Sequence, residues 1–171
     1  LRLLFVHKAR EAIQYLEKHT ALDLKPVTFY PDYYPELEGS REGFRCLEPR
    51  PFDARKLGDW FKKLRPPIPE FTIFGGMMVS GEDLPHFCNV WRSPKAFLRV
   101  AFLVTQYAMQ RLRFHRGTRL VLGNGLAAQL LKSNLDLGVE ILTGTSIGKL
   151  LKKDGKVTGV QISDKDGEVE I

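Results

Sequence analysis

The proline-rich segment from Asp23 to Phe71 limits what this chain can fold into more than any other feature of its sequence. It holds eight of the 10 prolines: Pro26, Pro31, Pro35, Pro49, Pro51, Pro66, Pro67 and Pro69. Because proline fixes φ and lacks a backbone N–H, it interrupts helices and central strands. Aromatic residues recur between the prolines and supply more apolar surface than disordered segments carry. The sequence therefore predicts a long, ordered, irregular excursion with one short helix near residues 54–64.

Helical patterns predict one long helix on each side of this segment. The first covers residues 3–19, and the positions on its apolar face are Leu4, Ala9, Ala12, Ile13 and Leu16. The second begins at Ser93-Pro94, because serine caps helices and proline suits the first turn, and it runs to about residue 114. Its predicted inward positions are Phe97, Ala101, Val104, Ala108 and Leu112.

The last third of the chain has the most regular pattern. Asn124 is predicted to cap a helix over residues 125–137, which Gly138 ends in a left-handed conformation. The apolar stripe of this helix is predicted at Leu126, Leu130, Leu131 and Leu135. Residues 139–142, 146–152 and 156–163 are predicted as three short strands. Asp154-Gly155 indicates a hairpin turn, and Asp166-Gly167 indicates a turn before a final strand.

The stretch GNGLAA, from Gly123 to Ala128, fits the spacing of a dinucleotide-binding turn. Such a turn follows a buried parallel strand, and the next strand ends in an acidic residue that binds the ribose. Only three apolar residues precede Gly123, and Glu140 lies too early in the following strand. The pattern therefore favours a helix start with glycine for close packing over an independent cofactor site.

Composition favours an ordinary globular domain with a solvated basic surface. The net charge of +6 is scattered apart from the stretch Arg111 to Arg119, so no nucleic-acid partner is expected. The two cysteines lie far apart and predict reduced thiols and a cytoplasmic location. No histidine has metal-ligand spacing, Glu82-Asp83 indicates a turn rather than a catalytic carboxylate pair, and residues 96–109 are too short and polar to span a membrane.

Several segments together resemble one flavoprotein family. They are PDYYPELEG (31–39), LEPRPFDARKLG (47–58), LRPP (64–67), FGGMMV (74–79), GNGL (123–126), TSI (145–147) and DGKVTGV (154–160). They resemble the FAD-dependent 3-oxosteroid dehydrogenase branch of the fumarate reductase and succinate dehydrogenase flavoprotein superfamily. The resemblance covers nearly the whole chain. Where relatives show a glycine-rich loop, however, this chain has Ser40 and Phe44 in place of two glycines, which puts close approach to flavin or substrate in doubt.

The resemblance implies an α+β fold that is part of an α/β FAD-binding domain. Long helices and the irregular aromatic, proline-rich segment are expected to pack on a small, mostly C-terminal β-sheet. Residues 1–171 are expected to form a single partial domain, an internal piece without the Rossmann fingerprint and the cap domain. By itself such a piece is expected to be inactive.

The resemblance also implies a reaction and its residues. The parent protein is expected to use FAD to dehydrogenate a 3-oxosteroid or a similar hydrophobic ketone and to pass electrons to an acceptor. Tyr34, or alternatively Tyr33, is the expected catalytic residue, since a phenol polarises a carbonyl or relays a proton without a permanent charge. Aromatic packing is the alternative role for both. Ser146, Ile147 and Thr145 are the expected cofactor contacts, against the alternative of a strand edge with Ile147 in the core.

The sequence also allows a second function. The basic stretch from Gln110 to Arg116, with Tyr107, predicts a non-enzymatic binding module for an anionic partner. A small NAD-binding domain is disfavoured by the missing acidic residue. Self-association through exposed apolar surfaces is also expected if the chain is a piece of a larger protein.

Overall fold

A computed structural model describes residues 2–164 and 167–170, which form two compact units, Leu1–Leu137 and Gly138–Ile171. The helices of the first unit are α1 (Arg2–His19), α2 (Trp60–Lys63), α3 (Leu84–Cys88), α4 (Pro94–Arg111) and α5 (Leu122–Asp136), with short 3-10 helices at Ala54–Leu57 and Pro69–Phe71. Its strands are β1 (Leu24–Pro26), β2 (Leu47–Pro49), β3 (Phe52–Asp53), β4 (Thr72–Ile73), β5 (Met77–Met78) and β6 (Arg119–Leu120). The mixed helix and strand content confirms the α+β prediction.

Short antiparallel pairs replace extended sheets in the first unit. The pairs are β1 with β2, β3 with β6 and β4 with β5. None is longer than three residues, because prolines and turns interrupt the chain between them. The ordered, irregular excursion predicted from the prolines is confirmed. The predicted short helix is split into a 3-10 turn and α2 by Gly58, whose φ of 56° is easy only for glycine.

The main core lies where β3, β6 and α5 meet. Its buried members are Phe52, Ala54, Leu57, Phe61, Met78, Leu120, Val121 and Ala128. A smaller cluster forms where Leu103 and Tyr107 of α4 meet Met77. These two clusters fix α4 and α5 against the short strands, and burial of the apolar side chains supplies most of the stabilisation.

The predicted inward face of α4 is wrong in part: Val104 packs against the smaller cluster, and the helix and its cap are confirmed, but other predicted positions face away. Ser93 accepts a hydrogen bond from the Ala96 N–H, as an N-cap does. The buried residues are Ala96, Leu103 and Tyr107, whereas Phe97 is half-exposed and Leu112 is 86% exposed. This helix is apolar on nearly every side, so its spacing alone does not identify the face that meets the core.

Helix α5 starts earlier than predicted and packs only part of its predicted stripe, Leu131 and Leu135, against the main core. It begins at Leu122 with Val121 at the N-cap position, so Asn124 lies inside the first turn and does not cap it. The buried positions are Gly125, Ala128, Gln129 and Ser133, while the predicted Leu126 and Leu130 are exposed and Leu131 and Leu135 are half-buried. Glycine, alanine and serine are buried in place of the leucines because the helix packs close to the backbone of its neighbours. Gly138 follows the helix at a φ of 69°, which confirms the predicted left-handed end.

Gln129 ties α5 to the backbone of the β1–β2 pair. Its side-chain amide nitrogen, Nε2, donates to the carbonyls of Asp23 and Arg50 at 3.3 and 3.1 Å. Its Oε1 accepts from the Asp23 N–H at 3.1 Å. The side chain is 2% exposed, so these bonds satisfy polar groups that water reaches poorly.

The second unit is a three-stranded antiparallel sheet, β7 (Ser146–Lys153), β8 (Lys156–Asp164) and β9 (Gly167–Glu170), in that order. The hairpin at Asp154-Gly155 is confirmed, with φ values of 51° and 76° that match a type I′ turn. The predicted strand over residues 139–142 is wrong. Among the described residues no strand pairs with it, and a strand without a partner leaves its backbone groups unbonded. Asp166 of the predicted second turn lies outside the described residues.

Helix α1 confirms the first predicted helix. None of its residues is buried, and its predicted apolar face has only Ala9 and Ile13 half-buried. Leu3, Phe5 and Val6 are at least 70% exposed. The helix therefore presents apolar side chains that this unit leaves uncovered.

Candidate functional site

The predicted catalytic tyrosines lie at the end of a backbone-bonded arm. We call residues 27–46 the tyrosine arm; it continues the β1–β2 pair. Its two sides are joined by backbone hydrogen bonds, including Val27 N–H to Cys46 O at 2.9 Å and Tyr30 N–H to Glu42 O at 2.9 Å. Tyr33 and Tyr34 stand where the arm turns. The arm is thus a fixed support for two phenols and not a free loop.

Asp32 fastens the arm just before the tyrosines. Its Oδ2 accepts from the Arg41 N–H at 3.0 Å and lies 3.3 Å from Nε of Arg45. At Gly43 a Cβ atom would lie 2.1 Å from the Thr28 carbonyl oxygen, so only glycine fits between the two sides. These contacts explain the second glycine of the sequence GSREGF.

Phe44 keeps the backbone shape of the glycine that relatives are expected to have there. Its φ is 66°, in the left-handed region that glycine adopts readily and other residues do at a cost. Its N–H donates to the Val27 carbonyl at 2.8 Å, which holds this conformation. The substitution therefore changes the surface of the loop more than its path, and the phenylalanine ring stands 68% exposed.

Both candidate tyrosines are accessible. Tyr33 is 88% and Tyr34 65% exposed, so neither packs in a core. The electrostatic influence of the neighbouring Tyr33 raises the pKa of Tyr30 above its usual value.

The predicted cofactor contacts lie in the second unit. Ser146 and Ile147 begin β7, Thr145 precedes it, and β7 is an edge strand of the sheet. Ile147 is 72% exposed, so it is not a core residue of this unit. An edge strand has one row of backbone N–H and C=O groups that its neighbour does not bond. These groups have the chemistry needed to hydrogen-bond an adenine ring.

The glycine motif has a packing role. The strand before it, β6, has two residues and pairs antiparallel with β3. A Cβ at Gly125 would lie 3.1 Å from the Leu120 carbonyl oxygen, so this glycine lets α5 approach β6. The structure thus confirms the preference for a helix start with glycine for close packing, and a parallel strand with a phosphate turn is not what precedes Gly123.

A buried ionic cluster, unforeseen from the sequence, joins three distant segments. Asp83 is 1% exposed and accepts from Ser80 at 2.7 Å, Arg99 at 2.8 Å and Arg119 at 2.7 Å. Burial opposes its ionisation, but the hydrogen bonds of Ser80 and Arg99 and the charge of Arg119 hold the pKa of Asp83 below its usual value. The carboxylate is thus enclosed by its partners.

Some residues of the basic stretch are not free to bind an anionic partner, the alternative function considered for this chain. Tyr107 is 8% exposed, and its hydroxyl donates to the Phe74 carbonyl at 2.9 Å. Oε1 of Gln110 accepts from the Thr118 N–H at 2.8 Å, and Arg116 is 5% exposed. Three of the residues expected to contact an anionic polymer are therefore engaged inside the first unit.

A comparison of the sequence with protein-family models identifies the family of this chain. The model of a family described as FAD binding domain matches residues 1–171. This chain belongs to that FAD-binding domain family. The prediction of FAD as the cofactor is thereby confirmed, as is the flavoprotein assignment.

Similar proteins of known name indicate the branch of the family to which the chain is related. The chain is 32% identical over 156 residues to 4-oxocyclohex-2-ene-1-carboxylate 5-dehydrogenase of Sinomonas cyclohexanicum, covering 91% of the chain and 26% of the relative. It is 32% identical over 161 residues to 3-oxosteroid 1-dehydrogenase of Mycolicibacterium smegmatis, covering 94% and 27%. These matches confirm the resemblance to the 3-oxosteroid dehydrogenase branch. The chain spans about a quarter of the length of these relatives.

A solved structure agrees with the family. The crystal structure of 3-ketosteroid delta1-dehydrogenase from Sterolibacterium denitrificans, in complex with 1,4-androstadiene-3,17-dione, matches with a TM-score of 0.84 and 26% identity. The match covers 99% of this chain and 31% of that protein. The two relatives and the solved structure are dehydrogenases by their names.

Two further observations concern the described residues only. No group of three or more His, Cys, Asp or Glu side chains among them is arranged to hold a metal ion. None of the helices found in residues 2–164 combines the length and the apolar character required to cross a bilayer.

Proposed function

We propose that the protein containing this chain is an FAD-dependent dehydrogenase that introduces a double bond next to the carbonyl of a ring ketone. The proposal rests on one observation: two exposed tyrosines, Tyr33 and Tyr34, stand on a backbone-fixed arm of a chain in the FAD-binding domain family. Both relatives described above act, by their names, on ketones in a ring. The substrate class proposed is therefore a 3-oxosteroid or a smaller hydrophobic ring ketone.

The proposed dehydrogenation requires a side chain that can transfer a proton in an apolar site. In this reaction a base removes a proton from the carbon next to the carbonyl, and the adjacent carbon loses a hydride as the double bond forms. FAD, when bound, supplies the acceptor for that hydride. A phenol hydroxyl can donate a hydrogen bond to the ketone oxygen or, as phenolate, accept the proton.

Tyr34 is the proposed catalytic residue, with Tyr33 as the alternative. Tyr33 is the more exposed of the two phenols, at 88%. Ser146, Ile147 and Thr145 are the proposed cofactor contacts. Ser146 and Ile147 are exposed on an edge strand and Thr145 directly precedes it, a position that fits hydrogen bonding to the adenine end of FAD through the backbone.

Turnover with two ketones tests the proposal. The whole protein, loaded with FAD, is assayed with a dye acceptor against a 3-oxosteroid and against 4-oxocyclohex-2-ene-1-carboxylate. We expect reduction of the dye with at least one of them and a conjugated product. Dye reduction with neither ketone, in a preparation that contains bound FAD, contradicts the proposal.

Tyrosine variants test the residues. Tyr34→Phe is expected to lower kcat by roughly 100-fold or more, the usual size of a lost acid or base, with a small change in KM. Tyr33→Phe is the matched control, and a larger loss of kcat in that variant assigns the role to Tyr33 instead. If both variants keep kcat within a few-fold, neither phenol takes part in proton transfer.

The remaining expectations about the whole protein stay predictions. They are a cytoplasmic location, an electron acceptor of unspecified kind, self-association through exposed apolar side chains, and a single partial domain over residues 1–171. Three of the residues expected to contact an anionic partner, Tyr107, Gln110 and Arg116, are engaged inside the first unit, so an independent binding module is not proposed.

A further inference from the structure

A cavity of about 200 Å³ lies between α4 and the β3–β6 pair. One side of α4 lines it, because the helical residues in its wall follow one another at intervals of three and four positions. These residues are Arg99, Phe102, Leu103, Gln106 and Gln110. The opposite wall comes from β3, from the 3-10 helix that follows it and from Arg119 of β6. The cavity is therefore built from three segments of the first unit.

Two arginines in the wall of this cavity share a single carboxylate. Nε and Nη2 of Arg99 donate to Oδ1 of Asp83 at 3.1 and 2.8 Å, and Nη2 of Arg119 donates to Oδ2 at 2.7 Å. Both arginines line the cavity, whereas Asp83 does not. Nη1 of Arg119 has no hydrogen-bond partner among the described residues. Two guanidiniums against one carboxylate leave one positive charge unbalanced at the cavity.

The other carboxylates near this cluster are already paired. Asp53, which lines the cavity, accepts from Nε and Nη2 of Arg55 at 2.8 and 2.6 Å. Glu48 and Glu82 both pair with Lys25, and neither lines the cavity. Within the described part of the chain, no carboxylate of the wall is therefore left to balance the second guanidinium.

Two glutamine amides add hydrogen-bond donors to the same cavity. Oε1 of Gln110 accepts from the Thr118 N–H at 2.8 Å, and its amide nitrogen has no acceptor among the described residues. The side chain of Gln106, one turn earlier, forms no hydrogen bond with the residues that the structure describes. Phe102 and Leu103 supply apolar surface beside these groups. Guanidinium and amide donors next to an apolar wall match a carboxylate that carries a short hydrocarbon chain.

We propose that this cavity binds a short-chain monocarboxylate, with the carboxylate on Arg99 and Arg119 and the chain on Phe102 and Leu103. The single negative charge balances the second guanidinium. The carboxylate oxygens accept charge-assisted hydrogen bonds from the arginines and further bonds from the glutamine amides. The inference concerns binding only, and it holds whichever ketone the protein oxidises.

A pair of matched probes tests the proposal in the whole, FAD-loaded protein. Butyrate and its neutral isostere butyramide are titrated at neutral pH and constant ionic strength, by calorimetry and by saturation-transfer NMR. We expect butyrate to bind and butyramide to bind at least tenfold more weakly, because the amide lacks the charge that the guanidiniums recognise. Equal affinity for the two probes, or no binding of butyrate, overturns the proposal.

Two substitutions at one position locate the binding. Gln106→Glu places a carboxylate of the chain itself in the same cavity as the two guanidiniums, so it competes with the ligand. We expect at least a tenfold loss of butyrate affinity, with an unfolding midpoint in urea that stays the same or rises. Gln106→Trp fills the cavity without adding a charge and is expected to abolish binding as well.

Gln14→Glu is the matched control for the added charge. Gln14 is exposed on α1 and does not line the cavity, so butyrate affinity is expected to stay unchanged. Butyrate affinity that survives Gln106→Glu or Gln106→Trp, in a variant that unfolds cooperatively and keeps its FAD, overturns the proposal.

Discussion

Replacing Asp83 with asparagine tests how the first unit is held together. Asp83→Asn keeps the shape of the side chain but removes the charge that Arg99 and Arg119 share. Removing one partner of a buried ion pair costs about 3–5 kcal/mol of the free energy of unfolding. The side chain of Arg99 is 40% exposed and can regain water, whereas that of Arg119 is 18% exposed. We therefore expect a loss near the lower end, about 3 kcal/mol.

The same carboxylate predicts a pH dependence of stability. The pKa of Asp83 is lower in the folded state than its ordinary value. A depressed carboxyl pKa contributes stability that is fully present above the unfolded pKa of about 4 and is lost as the pH falls through the folded pKa. The wild-type protein is therefore expected to lose stability in this acid range, and Asp83→Asn to lose less of it over the same range.

Urea unfolding at neutral and acidic pH measures both effects. Glu82→Gln is the matched control, because Glu82 is the neighbouring carboxylate, is 63% exposed and leaves Lys25 its second partner, Glu48. We expect a cost below about 1 kcal/mol for the control. If Asp83→Asn costs no more than Glu82→Gln, or if its acid profile equals that of the wild type, the assigned role of Asp83 is wrong.

Three further substitutions test other contacts of the first unit by urea unfolding. Gln129→Leu is expected to cost about 2 kcal/mol, since it leaves buried backbone groups without their partner; a neutral result would show that water replaces the amide. Gly43→Ala is expected to cost about 2–3 kcal/mol because its Cβ would overlap the Thr28 carbonyl. Gly123→Ala, which has open space around it, is the control and is expected to be neutral or slightly stabilising. Equal effects of the two substitutions would contradict the close approach at Gly43. Tyr107→Phe is expected to cost about 1 kcal/mol through loss of its hydroxyl hydrogen bond, and an unchanged midpoint would refute that contribution.

Local chemistry made parts of this fold predictable. Ser93-Pro94 starts a helix, Gly138 ends one and Asp154-Gly155 turns a hairpin, because each depends on backbone conformations and hydrogen bonds within a few residues. Contacts between distant segments were not predictable in this way. The face that α4 buries depends on where Met77 lies, and residues 139–142 need a strand partner before they can form a strand.

The candidate site, like the fold, was predictable from the sequence only in part. The tyrosines and the TSI segment were found through a resemblance in short motifs, and the family comparison supports that resemblance. The fastening of the arm by Asp32 and the burial of Arg116 without a carboxylate partner among the described residues come from three-dimensional contacts. A cation followed by Gly-Thr, as at Arg116, gives no sign in the sequence that it is buried without a carboxylate.

Anaerobic mixing of the whole, FAD-loaded protein with a ring ketone tests the central claim most directly. The visible absorbance of the oxidised flavin is followed after addition of a 3-oxosteroid or 4-oxocyclohex-2-ene-1-carboxylate, with no electron acceptor present. We predict that the absorbance bleaches as hydride leaves the ketone, and that bleaching slows strongly in Tyr34→Phe or in Tyr33→Phe. Flavin that stays oxidised with both ketones would contradict the proposed dehydrogenation.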